Sequence, residues 1–255
     1  MFRPRIIPVL LIKGDGLVKT IKFEDPNYIG DPMNAVRIFN EFEADELVIL
    51  DINATTENRG IPNDIVRRIA EEAFMPFAVG GGINNIEQIR EILNMGVEKV
   101  VINTASVKNP NIISEAASIF GGQSIIVAID VKINTQGIKK VYISCGKEET
   151  DLDPVEHAKK VEMLGAGEIL INSIDNDGTM LGFDIDLIKS ISESVSIPTI
   201  ACGGAGCLND FSDAINFGRA SAVAAGSYFV YIGNNRAVLI NYPDNEDFEE
   251  IFNNE

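Results

Sequence analysis

The chain has only three cysteines (Cys145, Cys202 and Cys207) and one histidine (His157) in 255 residues, and no two cysteines form a C-x-x-C pair. That leaves no Cys/His spacing for a zinc site, and neither a metal nor a cofactor is expected. An odd cysteine count without framework spacing also argues against a disulfide scaffold and for a reduced, cytoplasmic protein. Long apolar runs are missing too: nothing approaches the roughly 20 residues of a membrane helix. Ile6–Ile12 is apolar and follows Arg3 and Arg5, but it contains Pro8 and runs into Lys13-Gly14-Asp15-Gly16 without a small-residue cleavage site. It reads as a first strand rather than a signal peptide. Basic residues are scarce, 21 Lys and Arg against 38 Asp and Glu, for a net charge of −17. Nucleic-acid binding needs clustered cations on phosphates, so neither nucleic acid nor membrane is expected as a partner. A phosphorylated small molecule remains compatible, because helix N-termini bind phosphate without net positive charge.

What is present is ordinary for a globular chain, with 45% apolar and 23% charged residues. The length suits one α/β barrel, which needs about 250 residues. Short β-branched runs alternate with amphipathic stretches, the pattern of parallel strands and crossover helices. Strands are expected at Arg5–Ile12, Glu46–Ile52, Phe77–Gly80, Lys99–Asn103, Ser124–Val131, Glu168–Ser173, Pro198–Cys202 and Ala220–Ala225. Helices are expected at Pro32–Glu43, Asn63–Ala73, Ile86–Met95, Asn111–Phe120, Pro154–Leu164, Asp184–Glu193 and Asn209–Phe217. Asp31-Pro32, Asn109-Pro110 and Asp153-Pro154 carry the cap-then-proline signal of a helix start. A shift of 122 residues superimposes Glu46-Leu47-Val48-Ile49 on Glu168-Ile169-Leu170-Ile171, and Gly81-Gly82 on Gly203-Gly204. A shift of 119 lays Ile6–Lys13 over Ile125–Lys132. A nearly constant offset implies a duplicated half. The expected fold is therefore a single (β/α)₈ TIM barrel over 1–255, with half-barrels of about 1–122 and 123–240 and an acidic tail at 243–255.

Ligands of such barrels bind at the C-terminal ends of the strands. Two glycine-rich turns stand there, Gly80-Gly81-Gly82 after the third strand and Gly203-Gly204 after the seventh. Without side chains they let an anion approach main-chain N–H groups. About 20 residues beyond each, Asn103-Thr104 and Gly226-Ser227 follow the fourth and eighth strands. Together these predict two phosphate grips across one mouth, with Lys19, on the loop after the first strand, placed to reach over an anion. Carboxylates also gather at strand ends: Asp51, Asp130, Asp175 and Asp177. A partly closed mouth can tune such a group for acid–base work. Asp130 is the stronger candidate because it ends an otherwise apolar strand, with Asp177 beside it. At the opposite face Arg5, Glu46, Lys99 and Glu168 stand at strand starts, two cations and two anions that read as an ion-pair layer.

Over roughly residues 1–230 the chain resembles the cyclase subunit of imidazole glycerol phosphate synthase, HisF. The resemblance rests on Gly30-Asp31-Pro32, Asp45-Glu46-Leu47, Leu50-Asp51-Ile52, Val79-Gly80-Gly81-Gly82-Ile83, Ile102-Asn103-Thr104-Ala105, Ala128-Ile129-Asp130, Asp177-Gly178-Thr179 and Gly203-Gly204-Ala205-Gly206. It implies a barrel that docks a HisH-type glutaminase, as a heterodimer, on its lower face. It also implies ammonia entering through a ring at Arg5, Glu46, Lys99 and Glu168 and travelling to a bis-phosphorylated substrate at the mouth. The family uses two aspartates as acid and base, at the ends of the first and fifth strands. This chain has Asp130, but Leu11 stands at the first position, and the internal repeat aligns Leu11 with Asp130 independently. Leucine transfers no proton. The chain also looks like the HisF relatives of surface-polysaccharide synthesis, in which a glutaminase and a HisF-like barrel supply nitrogen to a sugar amidotransferase. Three readings stay open here: such an amidation subunit, the histidine-pathway cyclase working through Asp130 and Asp177, and a catalytically silent ammonia conduit. After Gly233, Arg236–Tyr242 and an acidic tail containing Asp244, Glu246, Asp247, Glu249 and Glu250 match the family's closing helix poorly.

Overall fold

A computed structural model describes residues 3–233, 235–244 and 246–248. Eight parallel strands close on themselves: β1 (Arg5–Lys13), β2 (Leu47–Asp51), β3 (Phe77–Gly80), β4 (Lys99–Ile102), β5 (Ile125–Ile133), β6 (Glu168–Ser173), β7 (Thr199–Cys202) and β8 (Ala222–Ala225). Pairing runs from each strand to the next and returns from β8 to β1, with Arg5 opposite Ala222 and Ile7 opposite Ala224. The fold is a (β/α)₈ TIM barrel.

Strands covered on both faces read as near-continuous apolar runs, and β1 and β5 are buried along most of their length. Alternate residues point inward: Ile7, Val9 and Leu11 from β1, Val48 from β2, Val101 from β4, Ile126 and Ala128 from β5 and Leu170 from β6 fill the interior. The other register packs beneath the helices: α1 (Pro32–Glu41), α2 (Asn63–Glu72), α3 (Ile86–Asn94), α4 (Asn111–Phe120), α5 (Pro154–Met163), α6 (Ile185–Ser192) and α7 (Leu208–Asn216). In α3, Ile86, Ile89 and Ile92 recur at helical spacing and bury one face, and the Asn85 carboxamide accepts the Gln88 N–H at 2.9 Å. Asp31 and Asp153 cap α1 and α5 ahead of their prolines.

Extended segments outside the eight barrel strands were not anticipated. Gly14 turns the chain in the left-handed region, and Gly16–Ile21 folds back antiparallel on β1, pairing Leu11 with Val18. Glu24–Gly30 adds to that ribbon, and Lys139–Ile143 pairs with the extension of β5 in the same way. Beyond β8, a short helix (Ser227–Val230) leads into a small hairpin of Tyr231–Ile232 and Ala237–Val238. The following irregular segment carries Tyr242 against Phe39 and Phe229, and its hydroxyl donates to Ile6 O at 2.8 Å and accepts from Asp45 N at 3.1 Å. Of the acidic tail, Asp244, Glu246 and Asp247 are described, whereas Glu249 and Glu250 lie outside the described residues.

Candidate functional site

The C-terminal ends of the strands surround a cavity of about 610 Å³. Leu11, Lys19, Gly81, Gly82, Asn103, Thr104, Asp130, Asp177 and Gly226 all line it. In a chain where acids dominate, this wall holds Lys13, Lys19, Arg59, Lys108 and Lys147 against Asp51, Asp130 and Asp177. The local excess of cations suits an anionic occupant. Ser227 does not line the cavity with them, and neither do Gly203 and Gly204, although their neighbours Cys202 and Gly226 do.

The glycine turns are built as main-chain cradles. Gly81 and Gly82 take φ of 125° and 68°, and Gly203 and Gly204 take 86° and 123°, values that favour glycine. A Cβ on Gly82 would overlap the Arg59 carbonyl oxygen, and one on Gly204 would overlap that of Gly182. The N–H groups of Gly81, Gly82 and Gly204 meet no main-chain acceptor among the described residues. The short helices after β4 and β8, Thr104–Lys108 and Ser227–Val230, lack a side-chain N-cap. Ser106 N and Phe229 N donate to Asn103 O and Gly226 O, while the first two N–H groups of each helix meet no main-chain acceptor among the described residues. Asn103 is fixed by donating to Ala128 O at 3.0 Å, and Thr104 Oγ1 accepts from Ser144 N at 3.0 Å. Ser227 Oγ is buried without a partner among the described residues. Gly82→Ala is expected to cost about 2–4 kcal/mol, because strain at positive φ adds to a main-chain clash. Thermal unfolding measures this, and a phosphate titration should show weakened binding in the same variant.

Asp130 and Leu11 meet in this cavity, as the internal repeat foretold. Asp130 is 9% exposed, and burial pushes its pKa up to about 7. The Asn172 carboxamide, donating at 3.4 Å, opposes that shift, and the Asp177 charge adds to it. A carboxyl poised near neutrality can take or give a proton at working pH. Because the folded state holds this proton and the unfolded chain releases it near pH 4, the folded state loses stability as pH rises from about 4 to 7. Asp130→Asn should therefore unfold several degrees higher than the parent above pH 8, with the gap closing below pH 5. Melting curves across that range check the sign.

Lys19 requires correction. It lies in the strand Gly16–Ile21 rather than a loop, is 4% exposed, and its ammonium stands 3.3 Å from Asp177 Oδ1. The main-chain N–H of Lys22 donates to Asp177 O at 2.9 Å, and Phe23 closes on Gly146. This hairpin thus leans over the mouth. Asp51, left undecided by the sequence, is an orienting group. It accepts Asn53 N and Ala54 N at 2.9 and 3.1 Å and pairs with Arg59 at 2.6 Å. Asp175 likewise ties loops, accepting Ile133 N at 2.8 Å. Sequence reasoning missed Arg59, whose partner lies eight positions away across an irregular turn. It also missed His157, whose Nε2 is 3.2 Å from Ser106 Oγ, which in turn donates to Asn103 O at 2.6 Å. Burial pushes the His157 pKa down to about 4, so it stays neutral behind the β4 turn.

At the other end the four charged residues close a ring. Arg5 pairs with Glu46 and, at 2.9 Å, with Glu168, and Lys99 reaches Glu46 at 3.0 Å and Glu168 at 2.9 Å. Burial pulls the Arg5 pKa down, but its two carboxylate partners outweigh this and raise it. Around this face, exposed apolar side chains sit at the C-terminal ends of helices: Phe42, Phe74, Ile119, Met163 and Phe217. Phe74 and Met163 are 88% and 80% exposed. Between ring and mouth runs the apolar interior. Among the described residues no helix is long and apolar enough to cross a membrane.

The family model described as "Histidine biosynthesis protein" matches residues 5–234. The chain is 47% identical over 253 residues to a Leptospira interrogans protein named "Putative imidazole glycerol phosphate synthase subunit HisF", covering 99% of this chain and all of that one. It is 47% identical over 244 residues to the "hisF2" subunit of the same designation from Pseudomonas aeruginosa, covering 96% and 97% of the two chains. With "Imidazole glycerol phosphate synthase subunit HisF" of Alkaliphilus metalliredigens it shares 46% identity over 231 residues, 91% of this chain and 92% of that one. A barrel with paired glycine cradles at its mouth and this degree of identity over nearly its whole length belongs to the HisF family of imidazole glycerol phosphate synthase subunits.

Proposed function

We propose that this chain, one barrel of two half-barrels, is the HisF-like subunit of a glutamine-dependent amidotransferase complex. It receives ammonia from a HisH-type glutaminase and delivers it to the amidation of a surface-polysaccharide sugar. The observation that carries this reading is the pairing of an intact lower ring with a one-sided mouth. Arg5, Glu46, Lys99 and Glu168 alternate in charge around the barrel axis. The apolar rim of Phe42, Phe74, Met163 and Phe217 around them is the kind of surface that a protein partner covers. At the mouth Leu11 occupies one of the two positions where the family resemblance calls for a proton carrier, and it can neither donate nor accept. The cationic wall and the open N–H groups of Gly81 and Gly82 support a phosphorylated ligand there.

A second reading has its own observation. Asp177 lies close enough to Asp130 to raise its pKa, so beside the Arg59-paired Asp51 the mouth holds two interacting carboxylates. They could divide the acid and base roles of the histidine-pathway cyclase. Supplying the purified chain with an ammonium salt and the bis-phosphorylated nucleotide of that pathway separates the two. Negligible turnover is expected; rapid turnover by the unmodified chain would replace the amidation reading with the cyclase one.

A further inference from the structure

A second cavity, of about 310 Å³, opens between the two hairpins at the mouth, and it takes no part in the function just proposed. One wall comes from the Gly16–Gly30 ribbon, through Lys19, Asn27 and Tyr28, and the other from the C-terminal hairpin, through Tyr231 and Arg236. Its volume is at the lower end of small-ligand pockets. Among the described residues no carboxylate lines it, although Asp and Glu outnumber Lys and Arg 38 to 21 in the chain.

Arg236 makes this wall specific. One guanidinium nitrogen, Nη2, donates to Gly178 O at 2.8 Å and reaches Thr179 O at 3.5 Å. Its other nitrogens have no protein acceptor, and it forms no ion pair, among the described residues. The guanidinium lies 5.8 Å from the Tyr231 ring centroid. Tyr28 supplies a second ring. It lies across Gly16, where a Cβ would come within 2.6 Å of the ring edge, so the absent side chain seats the ring although it is 71% exposed. An arginine with spare donors and two tyrosine rings are the elements that grip a phosphate joined to a flat ring.

We propose that this cleft binds a small aromatic phosphate of mononucleotide size, with Arg236 on the phosphate and Tyr28 and Tyr231 against the ring. Binding there also touches the main mouth. Arg236 holds the carbonyls of Gly178 and Thr179, the residues following Asp177, and Asp177 pairs with Lys19, which lines both cavities. Occupancy of the cleft and of the mouth is therefore linked through one short loop.

Adenosine monophosphate is the probe, titrated into the full chain by calorimetry, with inorganic phosphate alongside. The nucleotide should bind more tightly than phosphate. Arg236→Gln should weaken nucleotide binding about tenfold or more, the scale of a lost charge-assisted contact. Tyr28→Ser should weaken the nucleotide about threefold or more while leaving phosphate nearly unchanged. Asn103→Ala, in the β4 turn of the main cavity, should leave nucleotide affinity within twofold of the parent. Circular dichroism confirms that each variant is folded, and Tyr28→Ser keeps the test decisive if Arg236→Gln is not. Three outcomes would overturn the proposal: no nucleotide binding at millimolar concentration, unchanged binding in both cleft variants, or loss confined to Asn103→Ala, which would place the nucleotide in the main cavity.

Discussion

Leu11→Asp is expected to raise ammonium-dependent cyclase turnover by about 10²–10⁴-fold over the parent chain, the usual contribution of one positioned acid or base. The side chain at position 11 points into the cavity that Asp130 lines from the other half, so an aspartate there would restore the missing proton carrier without moving the backbone. Its own burial would raise its pKa, as burial raises that of Asp130 to about 7. Rescue should therefore be strongest near neutral pH, where one carboxyl is charged and its partner protonated. A steady-state assay with the bis-phosphorylated nucleotide reads the change directly. If Leu11→Asp stays as silent as the parent while remaining folded, the cavity has diverged beyond this one position, and Leu11 is not what separates the chain from the cyclase.

The second large effect belongs to the ring. Glu46 is 2% exposed and holds both Arg5 and Lys99. Glu46→Ala should lower stability by roughly 3 kcal/mol, the lower end for a broken buried pair, because the part-buried Arg5 and Lys99 lose one of their two carboxylates and share Glu168 alone. Replacing the cation too, in Lys99→Met with Glu46→Leu, should recover much of that loss, since an apolar pair of similar volume avoids the desolvation cost. Denaturant unfolding of the singles and the double gives the coupling energy. A ring retained mainly for partner binding or ammonia entry would then show as a stable double variant that no longer serves a glutaminase. Equal stability of Glu46→Ala and the parent would contradict the view that the ring is a buried, mutually dependent network.

The architecture was legible because barrel physics writes itself into the sequence. Strands buried on both faces demand apolar runs, and helices covering them demand apolar residues at helical spacing, so β3 and β6 fall on their expected residues and α4 runs from Asn111 to Phe120 as read. The 122-residue offset exposed the paired glycine turns, whose positive φ values explain why no other residue stands there. The hairpins were not legible. Gly16–Ile21 has too short an alternation to announce a strand, and its pairing partner is the end of β1 itself. Reading that segment as a loop left Lys19 free to reach over an anion, whereas the ribbon buries it against Asp177, 158 positions away. The clamp made by Tyr242 on Ile6 and Asp45 and the hold of Arg236 on the Gly178 carbonyl have the same origin. Contacts between distant irregular segments leave no periodic mark.

The most direct measurement is the affinity of the purified chain for a HisH-type glutaminase from the same cell, with glutamine hydrolysis followed in the same mixture. The account predicts a one-to-one complex. It also predicts that Lys99→Ala or Glu168→Ala weakens that complex or uncouples it from ammonia delivery, while Asp130→Asn leaves it intact. A folded chain that binds no such glutaminase, or one whose binding ignores both ring variants, would contradict it.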